Sequence, residues 1–157
     1  MTLVRLRREG NGASEEIRRP RYEEGMNFAA VLRATQGRRG DIPPPPQFDA
    51  PPGDLAERAH RALYEVSDPE FPISLVDLGL VYGVEADEER GEVTVRLSFT
   101  ATACPCMDFI RWDVRERLLR EPGVERVLIE VTWDPPWTTE RITDRGREIL
   151  GRVGVSV

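Results

Sequence analysis

The chain has two cysteines, and both fall in TATACPCMD, residues 100–108, as Cys104 and Cys106 with one proline between them. Thiols this close invite three chemistries. A thiolate can ligate a soft metal or an iron–sulfur cluster. It can attack a disulfide or carry persulfide sulfur. It can also act as a covalent nucleophile, which usually needs a base. The single histidine, His60, lies on the first predicted helix, where a partly exposed surface residue is the simpler reading. Structural zinc wants four ligands, and two cysteines with one histidine do not supply them. A metal or cluster would have to be completed by carboxylates, an external thiol or a second chain. Free cysteine is also buried for packing alone, so C-P-C by itself leaves all of these open.

The elements on either side of the cysteines are legible. In EVTVRLSFT (92–100), Val93, Val95, Leu97 and Phe99 alternate with Thr94, Arg96, Ser98 and Thr100, which predicts a strand with one face on a core. MDFIRWDVRERLLRE (107–121) reads as a helix with Met107, Ile110, Val114 and Leu118 as its buried stripe, stopped by Pro122-Gly123. Proline is favoured at a first helical position, so Pro105 would open the helix, with Cys104 as its N-cap and Cys106 in the first turn. The unsatisfied N–H groups there favour thiolate. Asp108 works against it, because a nearby carboxylate raises a thiol pKa.

Further out, Asp54 is suited to cap LAERAHRALYEV (55–66), whose Leu55, Ala59, Ala62, Leu63 and Val66 share one face, and Ser67-Asp68-Pro69 ends that helix. LGLVYGVEAD (78–87) predicts a strand and EERGE the turn after it. VERVLIEVTW (124–133) predicts another, with Val127, Ile129, Val131 and Trp133 on one face. DPPW makes a rigid loop, and Thr138 or Thr139 would cap a last helix, ERITDRGREIL, ending at Gly151. The order α-β-β-α-β-α predicts an α+β fold. It is a small α/β sandwich: a mixed sheet of three strands, or slightly more, with helices packed on it.

Length suggests one domain plus an appendage: a folded unit over 54–157, and residues 1–53 as a largely irregular N-terminal extension and proline-rich linker. Within the extension, residues 26–37 carry Phe28, Val31, Leu32 and Thr35 at helical spacing, and Pro43 to Pro46 favour polyproline II. Net charge is −6, and every one of the 22 basic residues is arginine. The charge divides as +2 for the extension and −8 for the body. An acidic body argues against a phosphate-binding surface, so no nucleic-acid partner is expected. No apolar run approaches ~18 residues, which argues against a membrane span. The N-terminus lacks an apolar core of signal-peptide length, so a cytoplasmic protein with reduced thiols is expected.

Three longer stretches change the weighting of the cysteine chemistry: DPEFPISLVDLGLVYGV (68–84), T-x-T-x-C-P (100–105) and WDPPWTTERITDRGREIL (133–150). In this order and spacing, the chain over residues 55–157 resembles the metal–sulfur cluster biosynthesis family, which includes the cytosolic iron–sulfur assembly component and SufT- and PaaD-type proteins. The resemblance implies a small α/β domain that matures iron–sulfur or other metalloproteins, an assembly factor or adaptor more than a conventional enzyme. Asp68, Pro69 and Glu70 match the family's DPE, and Asp77, Leu78 and Gly79 its DLG. Thr100 matches the threonine ending the second strand, Cys104-Pro105 the CP with its functional thiol, and Trp133, Pro135, Pro136 and Trp137 the tryptophan–proline loop. Ala103 stands where the family often has glycine, and Ala101 where it often has a second threonine. Cys106 lies outside the common motif.

The implied site has Cys104 and Cys106 as candidate thiol ligands, with Asp68, Glu70, Asp77, Thr100 and Thr102 shaping it. Trp133, Pro135, Pro136 and Trp137 would meet a partner. The implied cofactor is an iron–sulfur cluster or iron, held transiently or shared between chains. The implied partners are an iron–sulfur carrier, apo client proteins and a second copy in a homodimer. Two alternatives are a thiol–disulfide or sulfur-transfer protein using Cys104 and Cys106, and a non-catalytic auxiliary subunit of a phenylacetyl-CoA-type oxygenase.

Overall fold

The computed structural model describes residues 4–7, 14–16, 43–69, 71, 73–101 and 106–157. The helix expected over 26–37 lies outside the described residues. The elements are β1 (Val4–Arg7), β2 (Ser14–Glu16), α1 (Leu55–Ala62), β3 (Val81–Asp87), β4 (Glu92–Leu97), α2 (Met107–Leu118), β5 (Arg126–Val131) and α3 (Asp144–Arg152). The predicted α-β-β-α-β-α order is present. β3 and β4 form an antiparallel hairpin, and α2 carries the chain over so that β5 lies parallel to β4. β1 adds parallel to the other side of β5, with β2 antiparallel to β1, which extends the sheet to five strands in the order β2-β1-β5-β4-β3. β1 alternates apolar and charged residues as Val4-Arg5-Leu6-Arg7, but over only four residues, and β2 (Ser14–Glu16) is wholly polar, so the sequence reading misses both.

The alternation read from the sequence sets the layers. Val93, Val95, Leu97, Val127 and Ile129 are fully buried under α1 and α2. Their neighbours Glu92, Thr94, Arg96, Leu128 and Glu130, with Glu85, line a shallow polar depression on the sheet's other face. α1 is capped as expected: the Asp54 carboxylate accepts from the Glu57 N–H at 2.8 Å. A 3₁₀ turn, Leu63–Glu65, follows it. Leu55, Ala59, Ala62, Leu63 and Val66 are buried in one cluster with Ile110, Val114 and Leu118 of α2. Burying a large aliphatic side chain contributes roughly 1.5–3 kcal/mol, so this interlayer cluster is the main stabilising element. Arg117 of α2 adds a link to the 3₁₀ turn after α1, donating to Glu65 at 2.7 and 3.0 Å.

Three boundaries differ from the sequence reading. β3 begins at Val81, because residues 74–79 coil into a turn in which Leu78 N–H donates to Ser74 O and Leu80 N–H to Leu75 O. α2 begins at Met107 with Cys106 as its N-cap, two residues later than proline preference suggests, and Cys106 makes no side-chain capping bond. The last helix is also later. Thr139–Arg141 is a 3₁₀ turn, and α3 is capped by Thr143, whose hydroxyl accepts from Gly146 N–H at 2.9 Å. Gly151 lies inside α3. The delay has a cause: Ile142 is buried in the core and Thr143 is held by Asp77, so the chain crosses extended between the two helical turns.

Two groups make stability acid-sensitive. His60 is half-buried on α1, and burial lowers its pKa below the ordinary 6.5, with Glu57 opposing the shift. A base whose folded pKa is depressed costs nothing above 6.5 and draws stability away as pH falls below it, because the unfolded chain takes up the proton first. Glu65 follows at lower pH: the Arg117 hydrogen bond holds its carboxyl below the usual 4.5, so its contribution is present above that value and is lost as pH falls through the folded pKa. Denaturant midpoints are therefore expected to drop between about pH 7.5 and about pH 5.5. His60→Gln should flatten this upper limb and leave the lower one. An unchanged upper limb in that variant would assign it to other groups.

Candidate functional site

The hairpin register puts the start of β3 opposite the end of β4. Val81 faces Leu97, and Leu97 faces Val131 of β5. The pairing continues past the strands: Ser98 N–H donates to Leu80 O at 2.9 Å, and Thr132 N–H to Leu97 O at 2.9 Å. Three chain segments, the turn 74–80, the stretch 98–101 and the loop 132–137, thus gather on one rim of the sheet. This is the juxtaposition a hairpin implies, and it joins the stretches that carry the family resemblance.

Asp77 is the centre of the turn. It is 1% exposed, and its carboxylate is fully engaged. Oδ2 accepts from the Ser74 hydroxyl at 2.9 Å and from the Arg145 guanidinium, and Oδ1 accepts from the Thr143 hydroxyl at 2.9 Å. Its carbonyl accepts from Thr143 N–H at 2.9 Å. A buried carboxylate must be paired in this way, since desolvating it alone would cost several kcal/mol. Asp77 therefore clamps α3 onto the turn. The clamp is tight at Gly146, where a Cβ would come within 2.6 Å of Asp77 O. Ser74, Thr143 and Arg145 are site-building residues that the sequence reading misses. The Ser-x-x-Asp spacing of 74–77 and the threonine before Asp144-Arg145-Gly146 are the signals that could find them.

The tryptophan–proline loop is stitched to the same turn. The Trp137 indole N–H donates to Leu78 O at 2.9 Å, and its ring packs on the core. The Tyr82 hydroxyl donates to Pro135 O at 2.8 Å, and the Arg141 guanidinium lies 3.8 Å over the Tyr82 ring. Trp133 is different: it is 38% exposed and leans on Phe99 at a centroid distance of 6.1 Å. Of the four residues expected to meet a partner, Trp133, Pro135 and Pro136 face solvent, while Trp137 is spent largely within the fold.

Among the other expected site residues, the Asp68 carboxylate accepts from Phe71 N–H at 3.0 Å, an Asx-type turn after α1. Thr100 and Ala101 are exposed on the rim. Cys104, Thr102 and Glu70 lie outside the described residues. The chain returns at Cys106, a thiol not tied into a disulfide and 3% exposed in the apolar cluster. Asp108, the carboxylate expected to oppose a thiolate, is paired with Arg111 at 3.0 Å, which offsets its charge. Among the described residues no three His, Cys, Asp or Glu side chains are grouped to hold a metal ion, and no helix is long and apolar enough to cross a membrane. Within those residues the rim offers a hydroxyl and an aromatic surface; the carboxylates of Asp68 and Asp77 are engaged within the protein, while Asp134 is exposed.

Comparison with known proteins gives the rim its context. The family described as "Iron-sulfur cluster assembly protein" matches residues 57–131. The chain is 40% identical over 91 residues to an Fe-S protein maturation auxiliary factor of Porphyromonas gingivalis, a match spanning 58% of this chain and 86% of that one. It is 34% identical over 97 residues to a protein of the same description in Bacillus subtilis, spanning 62% and 94%. The crystal structure of a domain of unknown function from Bacillus anthracis superposes with a TM-score of 0.59 at 34% identity, covering 62% of this chain and 92% of that one. The chain belongs to the iron–sulfur cluster assembly protein family.

Proposed function

We propose that the protein matures iron–sulfur proteins, with Cys104 as the thiol that meets iron, sulfide or an assembled cluster as cargo. Residues 54–157 form the working domain. The observation that supports this reading best is the gathering of the DLG turn, the Thr100 stretch and the tryptophan–proline loop on one rim, on a domain of this family. Thr100 would border the cargo, and Thr102 and Glu70 complete its surroundings. Trp133, Pro135 and Pro136 would receive the apo client, since exposed tryptophan is the residue type most enriched at binding hot spots. Cys106 is assigned a packing role by its burial, and Asp77 a positioning role by its saturated carboxylate. With Cys106 packed in the core, a single remaining thiol per chain is too few for a cluster. Two chains, or this chain with a carrier, would therefore share it in a cytoplasmic complex.

Anaerobic reconstitution with iron and sulfide tests this, followed by visible absorption, iron content and activation of an apo client. Cys104→Ser is expected to lose the chromophore and the activation together. Cys106→Ser is expected to keep both while unfolding at lower denaturant, because it places a hydroxyl in an apolar cluster at a cost of about 1–3 kcal/mol. Full client activation by Cys104→Ser would remove the thiol from the mechanism. Loss of the chromophore in folded Cys106→Ser would make the second thiol a ligand.

A further inference from the structure

The proline-rich segment lies against the folded domain beside α1 and α3, and it shares Arg145 with the Asp77 clamp. Pro43 and Pro46 are partly buried, while Pro44 and Pro45 point to solvent. That is a period of three, the repeat of polyproline II. The segment's carbonyls are read by arginines at both ends. Arg145 donates to Pro44 O, and Arg61 to Ala50 O at 2.6 Å. Between them Phe48 meets Tyr64 edge-on at 5.9 Å, with the Arg61 guanidinium 4.2 Å over the Phe48 ring. Arg145 also lies 5.8 Å over Tyr64, so one arginine stands against each ring of the Phe48–Tyr64 pair. Proline removes backbone donors and leaves carbonyls projecting. A surface that pairs an aromatic ring with fixed cationic donors is what recognises such a ligand.

We propose that Arg61, Tyr64 and Arg145 form a binding site for a proline-rich peptide in the polyproline II conformation. Residues 43–50 fill this site in cis as a tethered ligand. Any other segment of the same chemistry would have to displace it. The proposal stands independently of the thiol chemistry.

The test uses the full chain and a full-chain variant with Pro43→Ser, Pro44→Ser, Pro46→Ser and Phe48→Ser, which empties the site without touching its walls. Each is titrated with a capped synthetic peptide of sequence IPPPPQFDAP, and the Tyr64 ring and arginine side-chain signals are followed by NMR. A short tether gives an effective concentration of about 1 mM, so a peptide binding at about 0.1 mM should saturate the variant about tenfold more readily than wild type. Adding Tyr64→Ala to the variant should abolish the shifts, and a peptide with alanine at the positions of Pro43 to Pro46 should bind at least about tenfold more weakly. No saturable shift in the variant, equal responses of variant and wild type, or undiminished binding of the alanine peptide would each overturn the proposal.

Discussion

Asp77→Ala is expected to destabilise the protein by about 3–5 kcal/mol, the range for removing one partner of a buried ion pair. The loss falls on several groups at once. Arg145 loses its counter-charge, and the hydroxyls of Ser74 and Thr143 lose their acceptor. Arg145→Ala should cost less, because Arg145 is partly exposed and Asp77 keeps both hydroxyl donors. Combining the two should cost less than their sum, since they share one network. Equilibrium urea unfolding measures all three. The comparison also separates two roles for this residue. A positioning carboxylate predicts that Asp77→Asn loses stability and that whatever cargo binding survives tracks the folded fraction. A ligand predicts normal stability with lost iron. A cost below about 1 kcal/mol for Asp77→Ala would show that the clamp is not what holds α3 in place.

Gly79→Ala should be comparably damaging for a different reason. Gly79 has φ +75°, which L side chains rarely adopt, and a Cβ there would sit 2.2 Å from Arg141 O and 2.6 Å from its carbonyl carbon. Both obstacles are backbone, so no rotamer change relieves them. A left-handed residue costs roughly 1–2 kcal/mol by itself, and displacing the Arg141 segment raises the total to about 3 kcal/mol or more. The displacement should also pull the Trp137 indole from Leu78 O, giving a tryptophan fluorescence change in whatever native protein remains. Gly151→Ala is the matched control. It lies inside α3 with nothing within 4 Å of its Cβ position, and should be neutral or stabilising by up to about 1 kcal/mol. Equal denaturation midpoints for the two alanine variants would show that the close approach at Gly79 relaxes freely.

Regular periodicity makes the central elements of the fold legible in the chain itself. The alternation over 92–99 places Val93, Val95, Leu97 and Phe99 in the core, and the stripe of α2 buries Ile110, Val114 and Leu118. What the sequence conceals are features set by tertiary contact. α3 starts late because Thr143 is tied to a carboxylate 66 residues earlier, a constraint that no local propensity expresses. β1 and β2 are too short, at four and three residues, for their pattern to stand out in the sequence; they are defined by their backbone pairing along an existing strand. At the candidate site the family stretches meet on one rim, but their residues divide into those that build the rim and those that face outward. Asp77 and Trp137 have polar groups inside the fold, whereas Thr100 and Trp133 are turned to solvent. A motif gives no sign of that division, because turn-building and outward-facing residues sit side by side in the chain.

The placement of β5 has a consequence for how such a domain can diversify. The rim is assembled at the ends of β3, β4 and β5, whereas the N-terminal hairpin joins along the flank of β5, the side away from β4. Strands can therefore be annexed at that flank by satisfying backbone groups that were otherwise a border, without disturbing one hydrogen bond of the rim. The sheet has a loop-bearing end and a growing side, set at right angles. Terminal strands can be gained or shed on the growing side while the loops gathered at the other end keep their arrangement.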